Sequence, residues 1–131
     1  MKEKLIVNYK AVFKYPEHQE SQQFQSLGKL ELEPSKKLSF KTDDFNMSVK
    51  LENDIVYLQN NHTTLKLILN EVVENKYHSD YGMLNLETKL LNFSWADSIK
   101  INYALLENGM EISRVYILIQ MTLKESYVTE N

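Results

Sequence analysis

Residues 77–123, YHSDYGMLNLETKLLNFSWADSIKINYALLENGMEISRVYILIQMTL, decide how the rest of the chain is read. The stretch opens on Tyr81-Gly82, runs through Met83 to Trp95 and Ile99 to Leu105, turns at Asn108-Gly109 and returns as Val115 to Leu123. Apolar residues at every second position over such lengths, broken by turn residues, are the pattern of a β-meander. Ile99, Ile101, Tyr103 and Leu105 are odd-numbered, and so are Val115, Ile117, Ile119, Met121 and Leu123. A two-residue Asn108-Gly109 loop would set odd positions opposite even ones, Ile101 opposite Tyr116, and turn one apolar face outward. The expected connection is therefore a three-residue loop, Glu107 to Gly109 with Gly109 in the left-handed bulge position, which places Ile101 opposite Val115, Ile99 opposite Ile117 and Arg114 beside Asn102. Upstream, the apolar face passes from Leu84, Leu86, Thr88 and Leu90 to Leu91, Phe93 and Trp95, so a bulge near Leu90-Leu91 is expected.

Working outward, Leu5, Val7, Tyr9, Ala11 and Phe13 alternate with largely polar neighbours and form a first strand ending near Tyr15-Pro16. The polar run Glu17 to Gln22 reads as a solvated loop. Phe24, Ser26, Gly28, Leu30 and Leu32 share one face of a second strand, with a bulge or sharp bend expected at Gly28. Short strands follow at Leu38–Thr42 and Met47–Leu51, then a turn at Asn53-Asp54 and a fifth strand from Ile55 to Leu58. Residues 63–74 satisfy both the helical and the strand period; their strand neighbours favour strand. Short strands with short links and no convincing helix predict an all-β fold, an antiparallel up-and-down β-barrel of about 8–10 strands formed by a single domain, residues 1–131.

A chain of 131 residues with no cysteine excludes disulfides, thiolate catalysis and the common structural zinc sites. Its net charge is −3, with one arginine, Arg114, beside fourteen lysines; phosphate recognition usually clusters such residues on one face, no such clustering is expected here, and this argues against nucleic acid as a partner. No stretch reaches the roughly 18 apolar residues of a spanning helix, and Met1-Lys2-Glu3-Lys4 leads into alternation rather than an apolar leader core, so no membrane span and a cytoplasmic location are expected.

Tyr77-His78-Ser79-Asp80-Tyr81-Gly82, followed by Leu84, Leu86, Thr88 and Leu90, the Asn108-Gly109 hairpin and Val115 to Met121, resemble the YwiB-like family of small bacterial proteins. The resemblance implies a calycin-like, lipocalin-related barrel and brings no catalytic residue. The family pattern Tyr-x-Thr-Pro-Tyr-Gly loses its Thr-Pro pair here, and Gln59-Asn60-Asn61-His62 stands where an Arg-x-Gly-like turn is expected.

His18, His62 and His78 lie in or beside polar connections with no ligand spacing, so no catalytic, metal or cofactor residue is assigned. Glycines at 28, 82 and 109 are too far apart for a phosphate-binding loop, and no serine sits in a nucleophile elbow. An enzyme is disfavoured. A barrel of about eight strands is either filled by side chains or just wide enough for one small ligand. One reading is an apolar or amphipathic ligand held in the interior by Tyr9, Phe40, Tyr57, Thr88 and Tyr103, with phenols and hydroxyl as polar handles. The alternative is a solid barrel whose outer face, carrying Val12, Leu58, Tyr116 and Leu118, binds a protein or a second copy as a homodimer.

Overall fold

The computed structural model describes residues 2–41, 46–61, 63–79 and 82–123. Ten strands follow one another: β1 (Lys2–Lys14), β2 (Gln19–Glu31), β3 (Lys36–Lys41), β4 (Asn46–Glu52), β5 (Ile55–Asn60), β6 (Thr63–Leu67), β7 (Val72–Ser79), β8 (Gly82–Trp95), β9 (Ser98–Glu107) and β10 (Met110–Leu123). They form one antiparallel sheet in the order β6-β5-β4-β3-β2-β1-β10-β9-β8-β7. Every chain neighbour but one is a sheet neighbour, and β1 meets β10, so the sheet coils into a nearly closed up-and-down barrel with its seam between β6 and β7.

Alternation decides which side chains fill it. Val7, Leu38, Val49, Leu67, Ile99, Val115 and Ile119 are fully buried, and Leu5, Tyr9, Phe40, Met47, Ile101 and Tyr103 stay at or below 5 % exposure. Each such side chain contributes about 1.5–3 kcal/mol relative to exposure, and together they drive closure.

The expected bulge in β8 is present: the β8–β9 register shifts between Leu90 and Asn92. The β9–β10 hairpin solves its parity problem differently from expectation. Met110 pairs with Glu107 across a two-residue Asn108-Gly109 turn, both residues having positive φ (52° and 81°), and the register shifts between Glu111 and Ser113 instead. Asn-Gly is the best-suited pair for this turn, so the extra residue, Ile112, is absorbed in the strand. The outcome still sets odd against odd, but two residues further along: Ile101 faces Ile117, Ile99 faces Ile119, and Arg114 faces Ala104 rather than Asn102.

Three further expectations are corrected. The polar run after Glu17 is not all loop, since β2 begins at Gln19 and its exposed start pairs with the end of β1, Phe13 facing Glu20. Gly28 carries no bulge: the register runs through it unbroken, and glycine is needed because a Cβ would lie 2.7 Å from Val7 Cγ2 and 2.9 Å from the Ser39 carbonyl oxygen. On β5 the two-residue Asn53-Asp54 turn pairs Glu52 with Ile55, which sets Val49 opposite Leu58 and Leu51 opposite Val56. Leu58 therefore faces the core, and Tyr57 stands on the outer face beneath Lys50, whose Nζ is 4.9 Å from the ring centroid.

Residues 63–74 are extended, as favoured, but broken by a tight turn in which Asn70 has φ 61° and Glu71 N–H donates to the Ile68 carbonyl at 3.2 Å. After that turn β6 and β7 share no continuous ladder. A side-chain seam replaces it. Asn75 Oδ1 accepts from Lys66 N–H at 2.8 Å, its Nδ2 donates to Thr88 Oγ1 at 2.8 Å, and that hydroxyl donates to the Lys66 carbonyl at 2.9 Å. The amide of Asn75 thus stands in for the missing strand partner of Lys66, and both Asn75 and Thr88 are buried.

Candidate functional site

The five residues expected to surround an interior ligand do not form one group. Tyr9 and Phe40 meet, with Phe24 between them: Tyr9 stacks on Phe24 at 4.6 Å between centroids, and Phe40 lies 5.9 Å from Tyr9 and 6.0 Å from Phe24. Burial pushes the Tyr9 phenol up to about 12. Tyr103 and Thr88 belong to the other half of the barrel, diagonal neighbours through the pairs Leu90 with Tyr103 and Thr88 with Leu105. Thr88 holds the seam, and Tyr57 is outside. His18, exposed in the β1–β2 connection, stacks on Tyr15 at 4.6 Å between ring centroids and meets Glu20 at 3.0 Å; His62 and the side chain of His78 lie outside the described residues. Among the described residues no group of three or more histidines and carboxylates could hold a metal ion.

Concave surface is found on the outside of the sheet. Two grooves share Lys10 and Leu118 and so form one trough across β2, β1, β10, β9 and β8. The larger part, ≈ 690 Å³, is built from two cross-strand rungs, Val12–Tyr116–Asn102–Asn92 and Lys10–Leu118–Lys100–Ser94. Val12, Tyr116 and Leu118 give it an apolar centre, and Lys10 and Lys100 give it a cationic rim, with Lys14 placed 5.1 Å over the Tyr116 ring. Asn102 Oδ1 is buried there with no hydrogen-bond partner. Beside it Arg114 donates to Glu111 at 2.6 Å, and that carboxylate raises the guanidinium pKa further.

The other groove, ≈ 660 Å³, lies across β2 to β5. One rung forms its floor and wall: Lys4 faces Lys29, Lys29 faces Ser39, Ser39 faces Ser48 and Ser48 faces Gln59. Lys37, Lys41 and Leu27 complete the rim, and Asn61 closes one end by exchanging hydrogen bonds with the backbone of Asn46, both at 2.9 Å. Lysines scattered along the sequence are thus gathered on one face by strand register. Sequence reading expected no basic cluster on one face, and missed this one because positions 4, 29, 37 and 41 become neighbours only when the β1–β2 and β2–β3 registers are known.

No family model matches the chain, and no curated protein matches it significantly. Among solved structures, the crystal structure of ywiB protein from Bacillus subtilis superposes with a TM-score of 0.72 at 17 % identity, covering 91 % of this chain and 92 % of that one. The likeness establishes a YwiB-like fold, in accord with the family that the sequence resembles.

Proposed function

We propose that this chain is an interaction module: a packed barrel that binds another protein through the outer trough centred on Val12, Tyr116 and Leu118. The observation that carries the reading is the contrast between the two sides of the sheet. The inner face is filled to a few per cent exposure, whereas the outer face keeps three apolar side chains at the centre of a trough that crosses five strands. Contiguous apolar surface rimmed by polar groups is the usual mark of a protein interface. The orphaned Asn102 Oδ1 supports it, since a buried acceptor without a partner is costly and a donor from a bound segment would satisfy it.

The rim defines the partner. Among the described residues no carboxylate lines the trough, and Lys10, Lys14 and Lys100 surround its centre. Isologous pairing of two copies would bring lysines towards lysines, so the partner that fits carries apolar side chains flanked by Asp or Glu. Titration of the ¹⁵N-labelled protein with an apolar-acidic model peptide tests this. Amides of β1, β10 and β9 should shift, an apolar-lysine peptide should leave them unmoved, and Leu118→Glu should abolish the response. Light scattering that finds a stable dimer disrupted by Leu118→Glu would replace this partner with a second copy. A monomer indifferent to both peptides would sink the proposal.

The interior-ligand reading has one observation in its favour: the seam beside Thr88 and Tyr103 is held by side-chain hydrogen bonds rather than a ladder, the weakest place at which a calycin-like barrel could open to its apolar interior. It expects a co-purified small mass in native mass spectrometry that an apolar fluorophore displaces, with Tyr9, Phe40 and Tyr103 as the lining. A clean apo mass and no fluorophore signal would dismiss it.

A further inference from the structure

The lysine-rimmed groove of β2 to β5 lies apart from the proposed protein-binding trough and shares no lining residue with it. We infer that it is a binding site for a small organic phosphate.

Three features point to that chemistry. First, Lys4, Lys29, Lys37 and Lys41 surround it, and the ion pairs formed among the described residues are His18–Glu20, Lys50–Glu52 and Arg114–Glu111, so all four ammonium groups are uncommitted. In a chain of net charge −3 this is a local reversal of sign: Glu31, which faces Lys37 across the β2–β3 ladder, and Asp43 and Asp44, which follow Lys41 in the sequence, counted in full, leave four positive charges against three negative. Lysine acts as a point-charge phosphate ligand with freely rotating donors, whereas the bidentate grip of arginine is absent here.

Second, the middle of the groove is made of short hydrogen-bonding side chains. Ser39 and Ser48 sit at the centre of the rung between long lysines, so the concavity is a consequence of side-chain length. The Ser48 hydroxyl donates to Gln59 Oε1, at a long 3.4 Å, which fixes that amide with its Nε2 free, and Gln59 Nε2 and the Ser39 hydroxyl are the donors for phosphate oxygens or for a sugar. Third, Leu27 and the lysine stems supply apolar wall, and ≈ 660 Å³ falls within the size of small-molecule sites. A nucleic-acid strand fits less well. Strand-binding grooves stack bases on exposed aromatic rings, and the aromatic side chain lining this groove, Phe40, is 4 % exposed.

The probes are ATP, inorganic tripolyphosphate and adenosine, each titrated without metal into the ¹⁵N-labelled protein at low ionic strength. ATP and tripolyphosphate should shift the amides of Lys29, Ser39, Ser48 and Gln59, adenosine should not, and raising salt should weaken the effect as exposed charges are screened over about 10 Å at 0.1 M. Lys29→Gln with Lys41→Gln should weaken ATP binding by about tenfold, as expected for two lost screened contacts. The control pair Lys66→Gln with Lys76→Gln removes the same charge from exposed positions elsewhere and should leave binding unchanged. All four side chains are exposed, so neither double variant threatens the core. The proposal is overturned by an absence of shifts, by shifts spread over every lysine-bearing strand, or by equal weakening in both double variants.

Discussion

Replacing Asn75 by leucine tests the idea that one side chain completes the barrel. Asn75 is 7 % exposed and bridges β7 to β6 through Lys66 N–H at 2.8 Å, while also donating to Thr88 Oγ1 at 2.8 Å. Leucine keeps the branched shape, with two methyl groups in place of the amide oxygen and nitrogen. The Lys66 N–H then lacks a partner in a buried seam, at a cost of about 1–3 kcal/mol, whereas its carbonyl keeps the Thr88 hydroxyl at 2.9 Å. Loss of the amide's own bonds brings the expected total to about 2–4 kcal/mol, a large share of the roughly 5–15 kcal/mol that stabilises a typical domain. Thr88→Val removes one hydroxyl at nearly constant volume and should cost about 1–2 kcal/mol. Because the two side chains bond directly, the double variant should lose less than the sum. Urea unfolding followed through Trp95, the single tryptophan, measures all three. Hydrogen exchange adds the location: the Lys66 amide should lose protection first, with β6 and β7 opening while β1 and β10 stay closed. A leucine variant within about 0.5 kcal/mol of the parent, with Lys66 still protected, would show that the seam is held by packing alone.

Gly28→Ala should destabilise by about 1–3 kcal/mol, read as a lowered Tm, because its Cβ meets the Ser39 carbonyl oxygen at 2.9 Å; Val7→Ala in the same chain should not restore stability, since the backbone contact remains. Deleting Ile112 should leave the barrel folded by circular dichroism, because Ser113 then follows Glu111 directly and the pairs Glu111–Leu106 and Ser113–Leu105 join in an unbroken ladder that keeps Val115, Ile117 and Ile119 inward; loss of the fold would refute its role as the extra residue, and Ile112→Ala, at a position 38 % exposed, should cost about 1 kcal/mol or less. The Tyr9 phenol titrates near 10 when unfolded and at about 12 when folded, so its contribution is complete below pH 10 and disappears as pH rises through 12. Across that window Tyr9→Phe should lose stability less steeply than the parent, by about 1.4 kcal/mol per pH unit, and parallel curves would refute the assignment.

Much of the fold was legible in the residues. Period-two alternation is a local property, so Leu5 to Phe13, Leu38 with Phe40, and Ile99 to Leu105 declare strand and buried face within a few residues of themselves. The phase change at Leu90-Leu91 was legible for the same reason, since a bulge is the simple way for one strand to keep a single buried face. Turn length was the first thing to escape. Asn53-Asp54 and Asn108-Gly109 both close two-residue turns that invert parity; on β5 the inversion stands, which puts Tyr57 outside and Leu58 inside, and on β10 Ile112 cancels it. Nothing in a pattern of apolar positions says whether a hairpin corrects its parity in the loop or in the strand.

The sequence by itself determined that this chain is an all-β barrel with alternating apolar residues turned to its interior. Only the tertiary structure decided which outer-face residues become neighbours. Val12, Tyr116 and Leu118 join Lys10 and Lys100, and Lys4, Lys29, Lys37 and Lys41 join Ser39 and Ser48, through registers that compound from strand to strand. Each register depends on a turn, a bulge or a glycine contact, so a one-residue change anywhere along the way would send the same side chains to the other face. The inner face is specified by hydrophobicity and can be read residue by residue; the outer face is specified by adjacency, which exists only once the sheet has closed.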